Sequence, residues 1–150
     1  MSGLDLPFGE TGPVEVTPVS SAREALRTVA GLWLLVLMDL ALRVAGFDRF
    51  YRLVAGWPTL AAGRAGTRPE VWRETAAAVD RARIYYFKHA WCLQRAAATV
   101  CYLRLRGVRA ELVIGVRKIP FFAHAWTEVE GTVVNEAPAV RARYQEITRC

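Results

Sequence analysis

Three side-chain types in this chain can do covalent and acid–base chemistry in combination: a thiol, an imidazole and a carboxylate. The cysteines are Cys92, Cys101 and Cys150, and the histidines are His89 and His124. A thiol is a poor nucleophile until it ionises, and a helix N-terminus favours the thiolate through its free amides and the positive end of its dipole. Cys92 opens a run of strong helix formers and so stands at such a place. The same amides can receive the oxyanion formed when sulfur attacks a carbonyl. A free cysteine in an apolar domain is more often a small buried hydrophobe. Cys101 reads that way, because nine residues carry it about half a turn round the helix from Cys92. Cys150, the last residue, has no evident activating neighbour and reads as an exposed bystander.

A base for Cys92 must be His89 or His124. His89 lies three residues upstream and reads as a capping or packing residue. His124 falls near the start of a strand, a rigid element that can hold an imidazole against the helix end. A third residue is needed to orient that imidazole and stabilise its protonated form. Glu128 shares a face with His124 but lies roughly 13 Å along the same strand, which is too far. Two hairpin registers leave two other candidates. A three-residue loop ending in Gly131 pairs residue 128 with 132 and sets Glu136 opposite His124. A two-residue loop of Glu130 and Gly131 pairs His124 with Ala137, turns Glu136 to the other face and leaves Asn135 diagonal to the histidine as an acceptor. Glu136 is placed ahead of Asn135. Trp91, Gln94 and Trp126 flank the reactive pair and are candidates for substrate contact, with Gln94 also a candidate oxyanion donor. A metal site built from His89, Cys92, Cys101 and His124 fails because the helix separates its two cysteines.

The elements that must position these residues are legible from periodicity and caps. Ser21 and Glu24 form a capping box ahead of an apolar stretch, which predicts a helix from there to about residue 44 with Gly46 as its stop. Asp39 and Arg43, four apart, read as an ordinary surface pair. Beyond a small-residue linker at 61–66, Thr67 and Glu70 repeat the capping pattern around Pro69 and open a second helix toward residue 84. Residues 92–106 predict the central helix, with Gly107 as its stop. Alternation over 111–116, 122–129 and 132–135 predicts three strands, the last two as a hairpin. The fold class is therefore α+β, a central helix on a small antiparallel sheet preceded by N-terminal helices. Residues 1–20, rich in proline and glycine, read as a loose tail. Residues 21–150 read as one domain, helical over 21–90, with the chemistry over 91–140.

Composition narrows the function classes. The chain is 53% apolar with a net charge of +6, but its arginines are scattered and form no nucleic-acid motif. Attraction to an acidic peptide or protein surface is the milder inference. The apolar stretch at 28–38 is shorter than the roughly 20 residues a membrane span needs, so it reads as a core helix or one that leans on a partner. Three cysteines without a C-x-x-C pair predict free thiols, a reducing compartment and a cytoplasmic location. No phosphate-binding loop is visible, so no nucleotide or other cofactor is expected.

The segments WCLQRA at 91–96, GVRAELVIGV at 107–116 and AHAWTEV at 123–129 resemble the transglutaminase-like leader peptidases of lasso peptide biosynthesis, which have a papain-like core. The resemblance covers roughly residues 80–140. It implies a cysteine opening a helix, a histidine in H-A-W and an acid after the next strand, here Cys92, His124 and Glu136, with glutamate where the family usually has aspartate. It further implies removal of a leader from a ribosomally made precursor, delivery by a small leader-binding protein, and a separate cyclase acting on the freed core. The small size resembles the stand-alone form of the enzyme. Two other functions use the same residues differently. A transglutaminase or other acyltransferase would pass the acyl group to an amine, and a noncatalytic peptide-binding module would keep Cys92 and His124 as packing residues. The aromatic run Tyr85, Tyr86 and Phe87 is a candidate lining for the approach to Cys92.

Overall fold

The computed structural model describes residues 21–60, 68–86 and 91–150. The predicted tail at 1–20, the linker at 61–66, Thr67, Phe87 and His89 lie outside the described residues.

The first helix, α1 (Ala22–Ala55), opens as its capping residues dictate, with the Glu24 N–H donating to Ser21 Oγ at 3.2 Å. It does not stop at Gly46. That residue takes φ 76° and ψ 172° and kinks the chain, and helix resumes to Ala55. The next helix, α2 (Pro69–Tyr85), begins with proline in its first turn, where a missing N–H costs nothing. Its N-cap is Arg68, without a side-chain cap bond. The third helix, α3 (Cys92–Leu105), carries the candidate nucleophile at its first position.

Four strands follow: β1 (Ala110–Arg117), β2 (Phe122–Val129), β3 (Thr132–Val133) and, after the short helix α4 (Val140–Arg143), β4 (Gln145–Arg149). They form one antiparallel sheet in the order β3-β2-β1-β4. β4 and α4 are additions to the sequence reading. β4 is almost entirely exposed, so it lacks the alternation of apolar and polar residues that marks a half-buried strand. It brings Cys150 alongside β1, where Cys150 and Leu112 exchange backbone bonds of 3.0 and 2.7 Å. Cys150 is thus half-buried and tied to the sheet, not an exposed bystander.

The main core lies between the three long helices and one face of the sheet. Leu35, Met38, Phe50 and Val54 of α1 meet Val79 and Ala82 of α2, Ala97, Val100 and Leu103 of α3, and Leu112, Ala125 and Val129 of the sheet. A second, smaller cluster on the opposite face holds Val113, Trp126 and Val140 with Val133 and Tyr144. β2 therefore sends its alternate residues into both layers, as period-two geometry requires. One bond fixes its depth against α3: Thr127 Oγ1 donates to the Ala96 carbonyl at 3.1 Å, about one turn from Cys92.

α1 is apolar on both faces and, at 34 residues, much longer than the 28–38 stretch that the sequence marks out as apolar. Its inner face is buried against α2 and α3, while Leu26, Val29, Trp33, Leu37, Leu40, Val44 and Phe47 are exposed. Among the described residues it is the one helix long and apolar enough to cross a membrane. Asp39 is not the surface residue its spacing with Arg43 suggests. It is buried and accepts from Tyr86 Oη at 2.7 Å, Arg43 Nε at 2.8 Å and Gln94 Nε2 at 3.3 Å, so one carboxylate joins α1, the end of α2 and α3.

Candidate active site

Cys92 sits where the N-terminus of α3 meets the edge of β2. The residue before it, Trp91, is the N-cap and makes no side-chain bond to the first turn, so the leading amides of the helix are free for another acceptor. The groups that act on the Cys92 sulfur come from both elements: the backbone N–H of Leu93 from α3, the backbone N–H of Ala125 from β2, and the His124 side chain. Burial pushes the thiol upward in pKa. The hydrogen bond and charge of His124 together with the two amides outweigh it and hold the Cys92 thiol below its usual range.

The imidazole answers in kind. His124 is pushed up from 6.5 to about 9 by its bond to Cys92 first and by its bond to Glu136 second, against the opposing effect of burial. Its Nε2 lies 3.2 Å from Glu136 Oε2, so Nδ1 is the ring nitrogen not engaged by the carboxylate. Glu136 is held below the usual carboxylate range, chiefly by that same bond and then by the charge of Arg95, with burial opposing. Together these shifts favour the thiolate form of Cys92 and the imidazolium form of His124, with the Glu136 carboxylate behind the ring.

The route by which Glu136 arrives differs from both hairpin expectations. Glu130 and Gly131 have φ of 50° and 73°, the left-handed pair of a type I′ turn, and Glu128 pairs with Val133. The loop thus has two residues. Continued pairing in that register would turn Glu136 away from His124. The ladder instead ends early: Val134 N–H still donates to the Thr127 carbonyl at 3.0 Å, but the Thr127 N–H goes to Asn135 Oδ1 at 2.8 Å. Asn135 substitutes its side chain for a backbone carbonyl, and the chain bends off the sheet. Glu136 then approaches His124 from beyond the ladder. Asn135 itself is buried and occupied with Thr127.

The remaining candidates separate clearly. Trp91 is 69% exposed beside Cys92 and has surface to offer a substrate. Trp126 is 1% exposed, with its Nε1–H donating to Glu128 Oε1 at 2.8 Å, so it is a core residue without free surface. Gln94 is 5% exposed and its amide N–H is directed at Asp39, which removes it as an oxyanion donor in this arrangement. Glu128 is fully buried and paired with Arg141 at 3.3 Å and Arg149 at 3.5 Å. Cys101 lies in the main core, its thiol pushed up to about 12 by burial. Of the aromatic run, Tyr86 is tied to Asp39 and Tyr85 is exposed. Among the described residues no group of three or more His, Cys, Asp or Glu side chains is placed to hold a metal ion.

Three further residues surround the site. Arg95, three positions after Cys92 and so on the same side of α3, contacts Glu136, and Asp80 of α2 binds Arg95 in turn. Tyr144, between α4 and β4, stacks on the imidazole with ring centres 5.1 Å apart, and Trp126 lies 6.4 Å from the same ring. The helical spacing of Cys92 and Arg95 was visible in the sequence, whereas nothing local marks Tyr144. Gly115, opposite His124 in the β1–β2 register, makes room for these rings. A Cβ there would stand 2.8 Å from Trp126 Cη2 and 3.0 Å from Tyr144 Cβ. Gly115→Ala is expected to displace Tyr144 from His124 and to cost about 1–3 kcal/mol, read as a lower melting temperature. An unchanged melt with unchanged tyrosine and tryptophan fluorescence would contradict this.

A family model described as the transglutaminase-like superfamily matches residues 34–149, which takes in α3, the whole sheet and most of α1. The chain is also similar to the microcin J25-processing protein McjB of Escherichia coli, at 45% identity over 56 residues. That match spans 37% of this chain and 27% of the relative, so it reaches only about a quarter of the relative's length. No solved structure matches the chain. The match over 34–149, on a fold of helices packed against a four-stranded antiparallel sheet, shows that the chain belongs to the transglutaminase-like superfamily.

Proposed function

We propose that this protein is a cysteine peptidase that removes the leader from a ribosomally made lasso peptide precursor, with Cys92, His124 and Glu136 as its catalytic triad. The observation that carries the reading is His124 acting on Cys92 while its Nε2 lies 3.2 Å from Glu136 Oε2. The family match and the similarity to a microcin-processing protein support the chemistry and the substrate class.

In the proposed reaction the Cys92 thiolate attacks the carbonyl carbon of the leader's last residue, and the C=O electron pair moves onto oxygen. Amides of the first turn of α3 are the candidate donors to that developing charge. The imidazolium of His124 then gives its proton to the departing core amine as the C–N bond breaks. A thioester remains between Cys92 and the leader. Neutral His124 next takes a proton from water, hydroxide displaces sulfur, and the thiolate–imidazolium pair is restored with the leader's carboxylic acid as product, which loses its proton to solvent. Glu136 keeps the ring oriented and favours its protonated form throughout. Trp91 is the candidate for contact with the leader.

A small leader-binding protein supplies the precursor in this reading, and the freed core amine passes to a cyclase. The three free cysteines support a reducing, cytoplasmic setting. The test combines the protein, its precursor and the leader-binding partner, followed by mass spectrometry. Hydrolysed leader plus free core is the expected result, lost with Cys92→Ala. Leader joined to an added amine in place of water would reassign the protein to acyl transfer, and intact precursor under all conditions would sink the reading.

A further inference from the structure

Glu136 lies beyond the point where the sheet ladder ends, so backbone pairing does not hold it in place. Besides His124, Arg95 is a side chain that reaches it. Its Nε and Nη2 donate to the two oxygens of Asp80 at 2.7 and 3.1 Å, Nη2 also donates to the Asn135 carbonyl at 2.6 Å, and Nη1 donates to Glu136 Oε2 at 3.3 Å. The side chain is only 15% exposed, which limits competition from water.

We propose that Arg95, oriented by Asp80, is a positioning residue that fixes Glu136 against His124 and so couples the helix bearing the nucleophile to the bend bearing the acid. This rests on the reading of Cys92, His124 and Glu136 as the reacting set. The two-oxygen grip of Asp80 sets the plane of the guanidinium, and a planar fork then has its remaining donors aimed in fixed directions. Those donors meet a backbone carbonyl and a side-chain oxygen of two successive residues, Asn135 and Glu136. Both ends of the bend are thereby referred to α3, the element that also carries Cys92.

Charge and geometry pull in opposite directions here. Arg95 and His124 share one oxygen of Glu136, so losing the Arg95 charge alone would leave the carboxylate a stronger partner for the imidazolium. Asp80 already offsets much of that charge, with Arg83 a further 3.7 Å from the Asp80 carboxylate. The geometric hold has no such compensation, so it decides the outcome. The charged and titratable groups facing Glu136 are Arg95 from α3 and His124 from β2, with Cys92 and Asp80 one contact further away.

The test reads the thiol, not cleavage. Iodoacetamide labelling of Cys92 in the full chain is followed by peptide mass spectrometry from about pH 5 to 10, for wild type, Arg95→Gln, Arg95→Lys and Asp80→Asn, below each protein's melting temperature. Wild type is expected to label with a midpoint below the ordinary thiol range. Arg95→Gln is expected to move that midpoint up by about one unit and to slow labelling at pH 7 about tenfold. Arg95→Lys is expected to resemble Arg95→Gln within about threefold, because one ammonium cannot replace the fork. Asp80→Asn is expected to shift the profile the same way by a smaller amount. A wild-type profile in Arg95→Gln, or full restoration by Arg95→Lys, overturns the proposal; the second outcome would mean that charge alone suffices. If Arg95→Gln does not fold, wild-type profiles in both Arg95→Lys and Asp80→Asn overturn it. An ordinary thiol profile in wild type would remove the ion pair itself, and the triad reading would fall together with this role.

Discussion

Replacing His124 by alanine is expected to leave the protein folded, to slow alkylation of Cys92 at pH 7 by at least about tenfold, and to cut cleavage by about a thousandfold or more. His124 is the largest influence holding the thiol down. Without it burial raises the pKa against only two backbone amides, and the leaving amine has no proton donor. The variant should also lose stability in a pH-dependent way. The folded-state pKa of His124 is raised from 6.5 to about 9, so its contribution is complete below about 6.5 and disappears as pH rises through about 9. Glu136 is depressed below 4.5, so its contribution is present above that value and disappears as pH falls through its folded pKa. The melting deficit of His124→Ala should therefore be largest between about pH 4.5 and 6.5 and close above about pH 9. The wild-type cleavage rate should fall over the same alkaline range, as the imidazolium is lost. Cleavage by His124→Ala at more than a tenth of the wild-type rate would exclude the acid–base role.

Glu136→Gln and Asn135→Ala should fail in different ways, and the contrast is the second large effect. Glu136→Gln removes the charge that stabilises the imidazolium but leaves a side chain of similar size at a half-exposed position. Cleavage should drop by about a hundredfold or more, with a melting deficit confined to the pH range in which the His124–Glu136 pair is charged and smaller than that of Asn135→Ala. Asn135→Ala strands the buried Thr127 N–H, at a cost of about 1–3 kcal/mol, and frees the bend that carries Glu136. It should lower both stability and rate, the rate by less than Glu136→Gln does. Steady-state cleavage beside thermal melts separates the two. A greater rate loss in Asn135→Ala with an unchanged melt would transfer the orienting role to Asn135.

Much of the architecture follows from local chemistry. Ser21 caps α1, Pro69 opens α2, alternation marks β1 and β2, and Cys92 begins α3. The α+β class, the position of Cys92 at a helix N-terminus and the presence of His124 on the next-but-one element were all legible that way. What local pattern could not supply was decided at a distance. Glu130 accepts a left-handed φ, which fixes a two-residue turn that glycine at 131 alone leaves open. The consequence expected of that turn, Glu136 facing away, did not follow, because an Asn135 side chain took over one ladder position. Gln94 and Asp39 look like surface residues by spacing, yet they meet across α1 and α3 once the helices pack. Trp126 beside a reactive histidine suggests a substrate contact, but alternation sends it into the smaller core. β4 stayed hidden because an exposed, charged strand carries no hydrophobic period.

The two amides on Cys92 sulfur belong to different elements, Leu93 to the helix and Ala125 to the sheet, and the imidazole belongs to the sheet as well. A chain in which α3 has formed but has not yet settled on β2 would carry a sulfur with one amide and no proton partner. Such a sulfur behaves as an ordinary thiol. Under the proposed reading, activation of this sulfur therefore requires α3 and β2 to be in place together, and a copy in which they have parted carries an unactivated thiol.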